Sequence, residues 1–152
     1  MDPQPYNVNI NINQAGQYQQ PPAQALPTDR SLGKVILLSI VTFGIYSLVL
    51  QYNLIKELNL TAAADGKTTK GLLAVILLSF ITFGIYGIIW QVTFIQRVED
   101  VNERRRIGVK FGIMDWVIYN ILLSWTIVGP FIFMNKELKA FNAINANYNQ
   151  FG

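Results

Sequence analysis

The stretch VILLSIVTFGIYSLVLQ, Val35–Gln51, returns forty residues later as VILLSFITFGIYGIIWQ, Val75–Gln91. Both copies lie inside runs without a charged side chain: 21 residues from Val35 to Ile55 and 26 from Gly71 to Gln96, followed by a third run of 20 from Trp116 to Asn135. At about 1.5 Å of rise per residue, a helix of any of these lengths covers the roughly 30 Å hydrocarbon core of a bilayer. Lipid satisfies no backbone polar group, and alternating strands of about ten residues are absent, so the repeat unit reads as a spanning helix. The expected fold class is all-α. It is a membrane bundle of three transmembrane helices over about 34–56, 71–96 and 113–135, two near-identical repeats plus a degenerate third.

Composition agrees. The 152 residues are 51% hydrophobic and 14% charged, with no room for a soluble domain beside three spans. The absence of Cys and His removes disulfides, thiolate nucleophiles, imidazole acid–base chemistry and most zinc or haem ligation. No catalytic, cofactor-binding or metal-ligating constellation stands out, and neither an enzyme activity nor a cofactor is expected.

Residues 1–30 are of different material, with five Pro, six Gln and four Asn and only Asp2, Asp29 and Arg30 charged. Such a tail buries too little apolar surface to offset its chain entropy, so disorder is expected before a membrane domain at 31–150. Within it Asn7–Asn13 alternates strictly, which would put Val8, Ile10 and Ile12 on one face of a short strand. No basic segment followed by an apolar one opens the chain, so the first span is expected to act as an uncleaved anchor.

Inside the spans the residues that are not aliphatic mark two faces per helix. Ser39, Thr42 and Tyr46 share one face of the first copy, and Ser79, Thr82 and Tyr86 reproduce it in the second; Gly44 and Gln51, with Gly84, Gly87 and Gln91, mark the other. Small residues let helix backbones approach, and hydroxyls and amides hydrogen-bond across helices, so helix packing is the plain expectation. A pore lined by the same groups is the alternative.

The TFGIY centre weakens each helix, since a glycine follows a β-branched threonine at mid-span. Continuous or mildly kinked spans are expected; two half-helices forming a re-entrant hairpin are the alternative, with a first arm of only about 12 Å. The third segment, ILLSWTIVGPFIF, aligns Ser124 and Gly129 with Ser39 and Gly44, and Pro130 should kink it just after Gly129. Asp115 reads as a charge at the start of that helix. Beyond it Leu138, Phe141, Ile144 and Tyr148 mark one face of a separate surface helix over about 136–148.

With three spans, seven Lys or Arg (Arg30, Lys34, Arg97, Arg104, Arg105, Arg106, Lys110) face five (Lys56, Lys67, Lys70, Lys136, Lys139). The excess expects a multi-pass cell-membrane protein with a cytoplasmic N-terminus. Arg104, Arg105 and Arg106 are the densest positive patch and candidates for lipid head groups. A net charge of +3 without a basic-aromatic module leaves no expectation of nucleic-acid binding.

ILLSIVTFGIYSLVLQYNLIKELN, its second copy ILLSFITFGIYGIIWQVTFIQRVEDVN and the closing AFNAINANYN resemble the family known as domain of unknown function 4234, small polytopic membrane proteins found mainly in bacteria. The resemblance covers roughly Ser31 to Asn149, and its specific parts are the doubled TFGIY and the final Asn145-x-x-Tyr148-Asn149. It implies a membrane protein without assigned activity and supplies no catalytic residues. Many members begin with a cysteine-rich zinc ribbon, from which this Cys-free tail departs. Function is accordingly expected to lie in helix–helix association, as a homo-oligomer or with a membrane-protein partner in the lipid bilayer. A small oligomeric channel or transporter is the alternative.

Overall fold

The structure is a computed structural model that describes residues 25–152. The alternating segment 7–13 lies outside the described residues. From residue 25 onward the chain forms helices α1 (Leu32–Val41), α2 (Ile45–Thr61), α3 (Leu72–Ile81), α4 (Ile85–Arg104), α5 (Ile113–Trp116) and α6 (Val128–Phe151). A 3₁₀ turn at Ala63–Asp65 precedes α3, and a π-helical segment, Val117–Leu122, continues α5.

The three expected transmembrane helices are not there. Among the described residues no helix is long and apolar enough to cross a membrane. Each uncharged run is instead folded in two, at Thr42–Gly44, Thr82–Gly84 and Leu123–Ile127. The alternative of half-helices is the arrangement observed: three hairpins, each with a ten-residue short arm and a longer partner.

The turn has a local cause. Thr42 ends α1, Phe43 takes a left-handed conformation at φ 50°, and Gly44 follows at φ 87°. The amide of Gly44 donates to Ser39 O at 2.7 Å and that of Phe43 to Ile40 O at 3.2 Å, which satisfies two carbonyls left open at the helix end. Thr42 then serves both helices: its hydroxyl donates to Leu38 O at 2.7 Å and accepts from the Tyr46 amide at 2.9 Å. Thr82, Phe83 and Gly84 repeat every one of these bonds.

The long arms make the core. Buried positions recur at Leu50, Leu54, Ile55, Glu57, Leu58 and Thr61 on α2 and at Ala62, which caps it, and at Trp90, Phe94, Ile95, Arg97, Val98, Val101 and Asn102 on α4. They recur again at Phe133, Glu137, Leu138, Ala140, Phe141, Ile144 and Asn145 on α6. The spacing is forty residues from α2 to α4 and forty-three from α4 to α6. The three hairpins are thus pseudo-equivalent, and Phe94 stacks between Trp90 and Phe141 at centroid distances of 5.1 and 5.9 Å.

This register corrects the third copy. Gly129 is not the counterpart of the turn glycine Gly44; it lies in the first turn of α6, where a Cβ would stand 2.5 Å from Tyr119 O and 2.7 Å from Leu123 O. Pro130 makes no kink, because as the third residue of α6 it occupies a position whose amide has no helical acceptor. The separate surface helix over 136–148 is the outer part of the continuous 24-residue α6.

Candidate functional site

Each long arm holds the entry of the next hairpin through one residue. Asn59 on α2 donates to Thr69 O at 3.0 Å and accepts from the Thr69 amide at 2.7 Å, ahead of α3. Glu99, its counterpart on α4, accepts from the Ile113 amide at 3.3 Å, at the start of α5. Asn142, the counterpart on α6, donates to Arg30 O at 2.7 Å and accepts from the Arg30 amide at 3.2 Å, ahead of α1. The third contact closes the three hairpins into a ring, and Asn145 and Asn149 extend it by holding Pro27 O and the Leu26 amide and carbonyl. Residues 25–30 therefore belong to the fold and not to the tail.

All of these contacts gather the entries around the outer halves of α2, α4 and α6, so the three hairpin tips project together from the opposite end. The tips are apolar and bare. Phe43 and Phe83 are each 97% exposed, and Trp125 and Ile127 each 82%. Exposed large apolar side chains continue back along the hairpins through Ile40, Val41, Leu48, Phe80, Ile88 and Phe131. On the outer halves, from the equivalent positions Leu50, Trp90 and Phe133 onward, only Tyr52, Leu60 and Phe151 are exposed large apolar residues.

The polar end is tied by ion pairs. Glu57 receives both guanidinium nitrogens of Arg30 and the Asn145 amide at 2.8 Å. At the equivalent position of α4 the charge is inverted: Arg97 bonds Asp65 at 2.8 and 3.1 Å, Asn59 at 2.5 Å, Thr69 at 2.7 Å and Lys67 O at 2.6 Å. The Arg97 hydrogen bonds hold the Asp65 carboxyl below its usual value against the opposing effect of burial. At the neck of the third hairpin Lys136 bonds Asp115 at 2.7 Å, and that bond raises the lysine pKa. Asp115 also accepts from the Gly112 amide at 3.1 Å and so caps α5. One carboxyl is left out: Glu137 stands where α2 has Leu54 and α4 has Phe94, its Oε1 is buried without a partner, and burial pushes its pKa up to about 7.

The residues singled out in the sequence fall inside the hairpins. Ser39 and Ser47 hydrogen-bond each other at 2.7 Å between α1 and α2. In the second hairpin Gly87 lies where a Cβ would be 2.8 Å from Ser79 Oγ. Thr42, Gly44, Thr82 and Gly84 build the turns, and Tyr46 and Tyr86 pack on the core. Gln51 and Gln91 are half-buried, Gln51 with an unpartnered Nε2. Arg104, Arg105 and Arg106 lie at the far end of the 20-residue α4, about 30 Å from its tip by helical rise. There Arg105 donates to Thr61 O at 2.8 Å and Asn147 at 3.0 Å, Arg104 stands 3.6 Å from Asp65, and Arg106 is exposed. Asn59, Glu99, Asn142, Glu57 and Arg97 were not singled out; their signal was the spacing of forty and forty-three residues.

Among the described residues no group of His, Cys, Asp and Glu could hold a metal ion. What the arrangement offers instead is an amphipathic body with an apolar crown at one end and a charged collar at the other. No curated protein and no solved structure matches the chain. A family model matches it twice, over residues 30–100 and again over 70–134, the second match beginning forty residues after the first, as the hairpins do. The chain belongs to the family described as Domain of unknown function (DUF4234).

Proposed function

We propose that this protein is a non-enzymatic membrane protein that enters one leaflet of a bilayer with its three hairpin tips and leaves its charged collar in the water. The observation that carries this reading is the segregation of exposed apolar side chains at the tips, headed by Phe43, Phe83, Trp125 and Ile127. An exposed apolar area of this extent marks a protein or membrane contact. Length supports lipid as the partner: a short arm of ten residues is about 15 Å, half of a roughly 30 Å hydrocarbon core. At the first two turns the amides of residues 42–46 and 82–86 all find acceptors within the hairpin, as lipid requires.

Both ends of every hairpin emerge on the same side, so this reading replaces a multi-pass topology with a one-sided one. The cytoplasmic leaflet is the proposed side, since its anionic lipids attract a chain of net charge +3. Association with a second copy or a membrane partner is proposed to use the flanks of the crown.

The test is depth and sidedness together. Trp125 fluorescence, read in a Trp90→Phe, Trp116→Phe background, should be quenched most by lipids brominated near the chain ends. Ala64→Cys, Gly108→Cys and Gln150→Cys should all be labelled from the same side of sealed vesicles. Quenching of Trp125 by aqueous iodide in preference to brominated lipid would refute insertion, and labelling from opposite sides would refute the one-leaflet topology.

A further inference from the structure

The geometry points to a binding site for the phosphate head group of an anionic glycerophospholipid, in the cavity between the Lys67–Lys70 segment and the face of α4 from Tyr86 to Asp100. It rests on the one-leaflet reading and names the lipid chemistry that reading leaves open. The cavity measures about 330 Å³, with Lys67, Lys70 and Arg97 around its upper part and Tyr86, Ile89 and Trp90 forming its lower wall. Ile89 is 59% exposed, so that wall opens sideways toward the surface the lipid would occupy.

Comparison of the repeats explains why this cavity keeps cations to offer. In the first hairpin Arg30 precedes the short arm and is neutralised by Glu57, while Lys34 lies 3.5 Å from Asp29. In the second, Lys70 takes the place of Arg30, but the place of Glu57 is taken by Arg97, and Arg97 is bound to Asp65. Lys70 thereby loses its carboxylate. Neither it nor Lys67 has an acidic group within salt-bridge distance among the described residues. Asp100 is the one carboxylate of the lining, and it stands three residues beyond Arg97, toward the outer end of α4.

Height selects a lipid over a soluble anion. Lys70 stands two residues before α3, so the short arm holds it about 15 to 20 Å above the tip at Phe83. With the tip at the bilayer midplane, that is the level of the phosphates. An acyl chain leaving the phosphate would run down along Trp90, Ile89 and Tyr86 toward the tip.

The experiment uses the full chain in a non-ionic detergent with equimolar phosphatidylglycerol and phosphatidylcholine, and counts retained lipids by native mass spectrometry. One phosphatidylglycerol per chain should be retained in preference to phosphatidylcholine. Lys67→Gln with Lys70→Gln should weaken that retention about thirtyfold, Lys67→Arg with Lys70→Arg should preserve it, and the equal charge loss of Lys56→Gln with Lys139→Gln, two exposed lysines outside the cavity, should leave it unchanged. Equal retention of the two lipids, equal loss in both Gln pairs, or displacement by inorganic phosphate alone would overturn the site. Binding to neutral phosphatidylcholine vesicles is scored separately. Its failure with phosphatidylglycerol still retained in detergent refutes insertion and leaves the site standing, whereas its success without lipid preference does the reverse.

Discussion

Replacing both tip phenylalanines by glycine separates what the turn needs from what the membrane needs. Phe43 and Phe83 sit at φ 50° and 49° in a helix-terminating turn whose usual occupant is glycine. A left-handed conformation costs a residue with a Cβ about 1 kcal/mol, so Phe43→Gly with Phe83→Gly should relieve about 2 kcal/mol of strain and raise the unfolding midpoint by several degrees. The same rings are 97% exposed and touch almost nothing in the protein, so the fold loses little packing. In a bilayer each ring would bury its full surface, worth roughly 1.5–3 kcal/mol, and losing two should lower partitioning into neutral vesicles by roughly two to four orders of magnitude. Thermal unfolding in detergent and co-sedimentation with phosphatidylcholine vesicles read the two effects on one sample. A more stable protein that partitions as well as before would refute the insertion of the tips, and a less stable one would refute the account of the turn.

Glu137→Leu restores the residue that stands at the equivalent place on α2, and it should stabilise the protein. An acid with an ordinary pKa of 4.5 that rises to about 7 on folding makes the folded state lose stability as pH rises between those values. The gain should therefore be roughly 3 kcal/mol larger at pH 8 than at pH 4, and a gain that does not vary with pH in denaturant titrations would contradict it. Asp65 has the opposite sign: its pKa is lowered from 3.8, so its stabilisation is present above that value and fades as pH falls through and below it. Arg97→Ala removes the largest cause of the lowered Asp65 pKa and leaves the half-buried carboxylate to the Lys67 amide and Arg104, so it should cost roughly 3 kcal/mol, with the acid-side fade shallower in the variant's stability profile. Thr42→Val with Thr82→Val removes both double-ended caps and should cost about 1 kcal/mol per turn, visible as a lowered unfolding midpoint with the helical circular dichroism signal retained.

The doubled segment and its all-helical character could be read directly from the sequence, and so could the Asp65-Gly66 break, where Gly66 takes φ 67°. The fold of each copy on itself could not be read from hydropathy, because the turn is made of residues as apolar as the arms it joins. Phe43 has no polar signature, and the turn uses two successive left-handed positions of which only the second is a glycine. The first arm of about 12 Å that the sequence suggests is too short for a whole bilayer, and the observed arm of ten residues, about 15 Å, is close to half of one. In the third hairpin the ILLS match aligns Gly129 with Gly44, an alignment the fold does not keep. Its long arm carries the truer register, with Phe133, Leu138, Phe141, Ile144 and Asn145 answering Trp90, Ile95, Val98, Val101 and Asn102. The residues that join the ring stayed hidden for a related reason: Asn59, Glu99 and Asn142 do one task with two chemistries, since an amide and a carboxylate can both accept a backbone N–H.

The three seams of the ring differ in when they can be sewn. Asn59 meets Thr69 ten residues away and Glu99 meets Ile113 fourteen away, but Asn142 waits 112 residues for Arg30 and Asn149 waits 123 for Leu26. During synthesis the first two are available as soon as the neighbouring hairpin has emerged, whereas the last depends on the final turns of α6, so loop-closure entropy makes it the slow step. The C-terminal asparagines thus work as a latch thrown at the end of assembly, and the Leu26 and Arg30 amides should be the last to gain protection from hydrogen exchange on refolding.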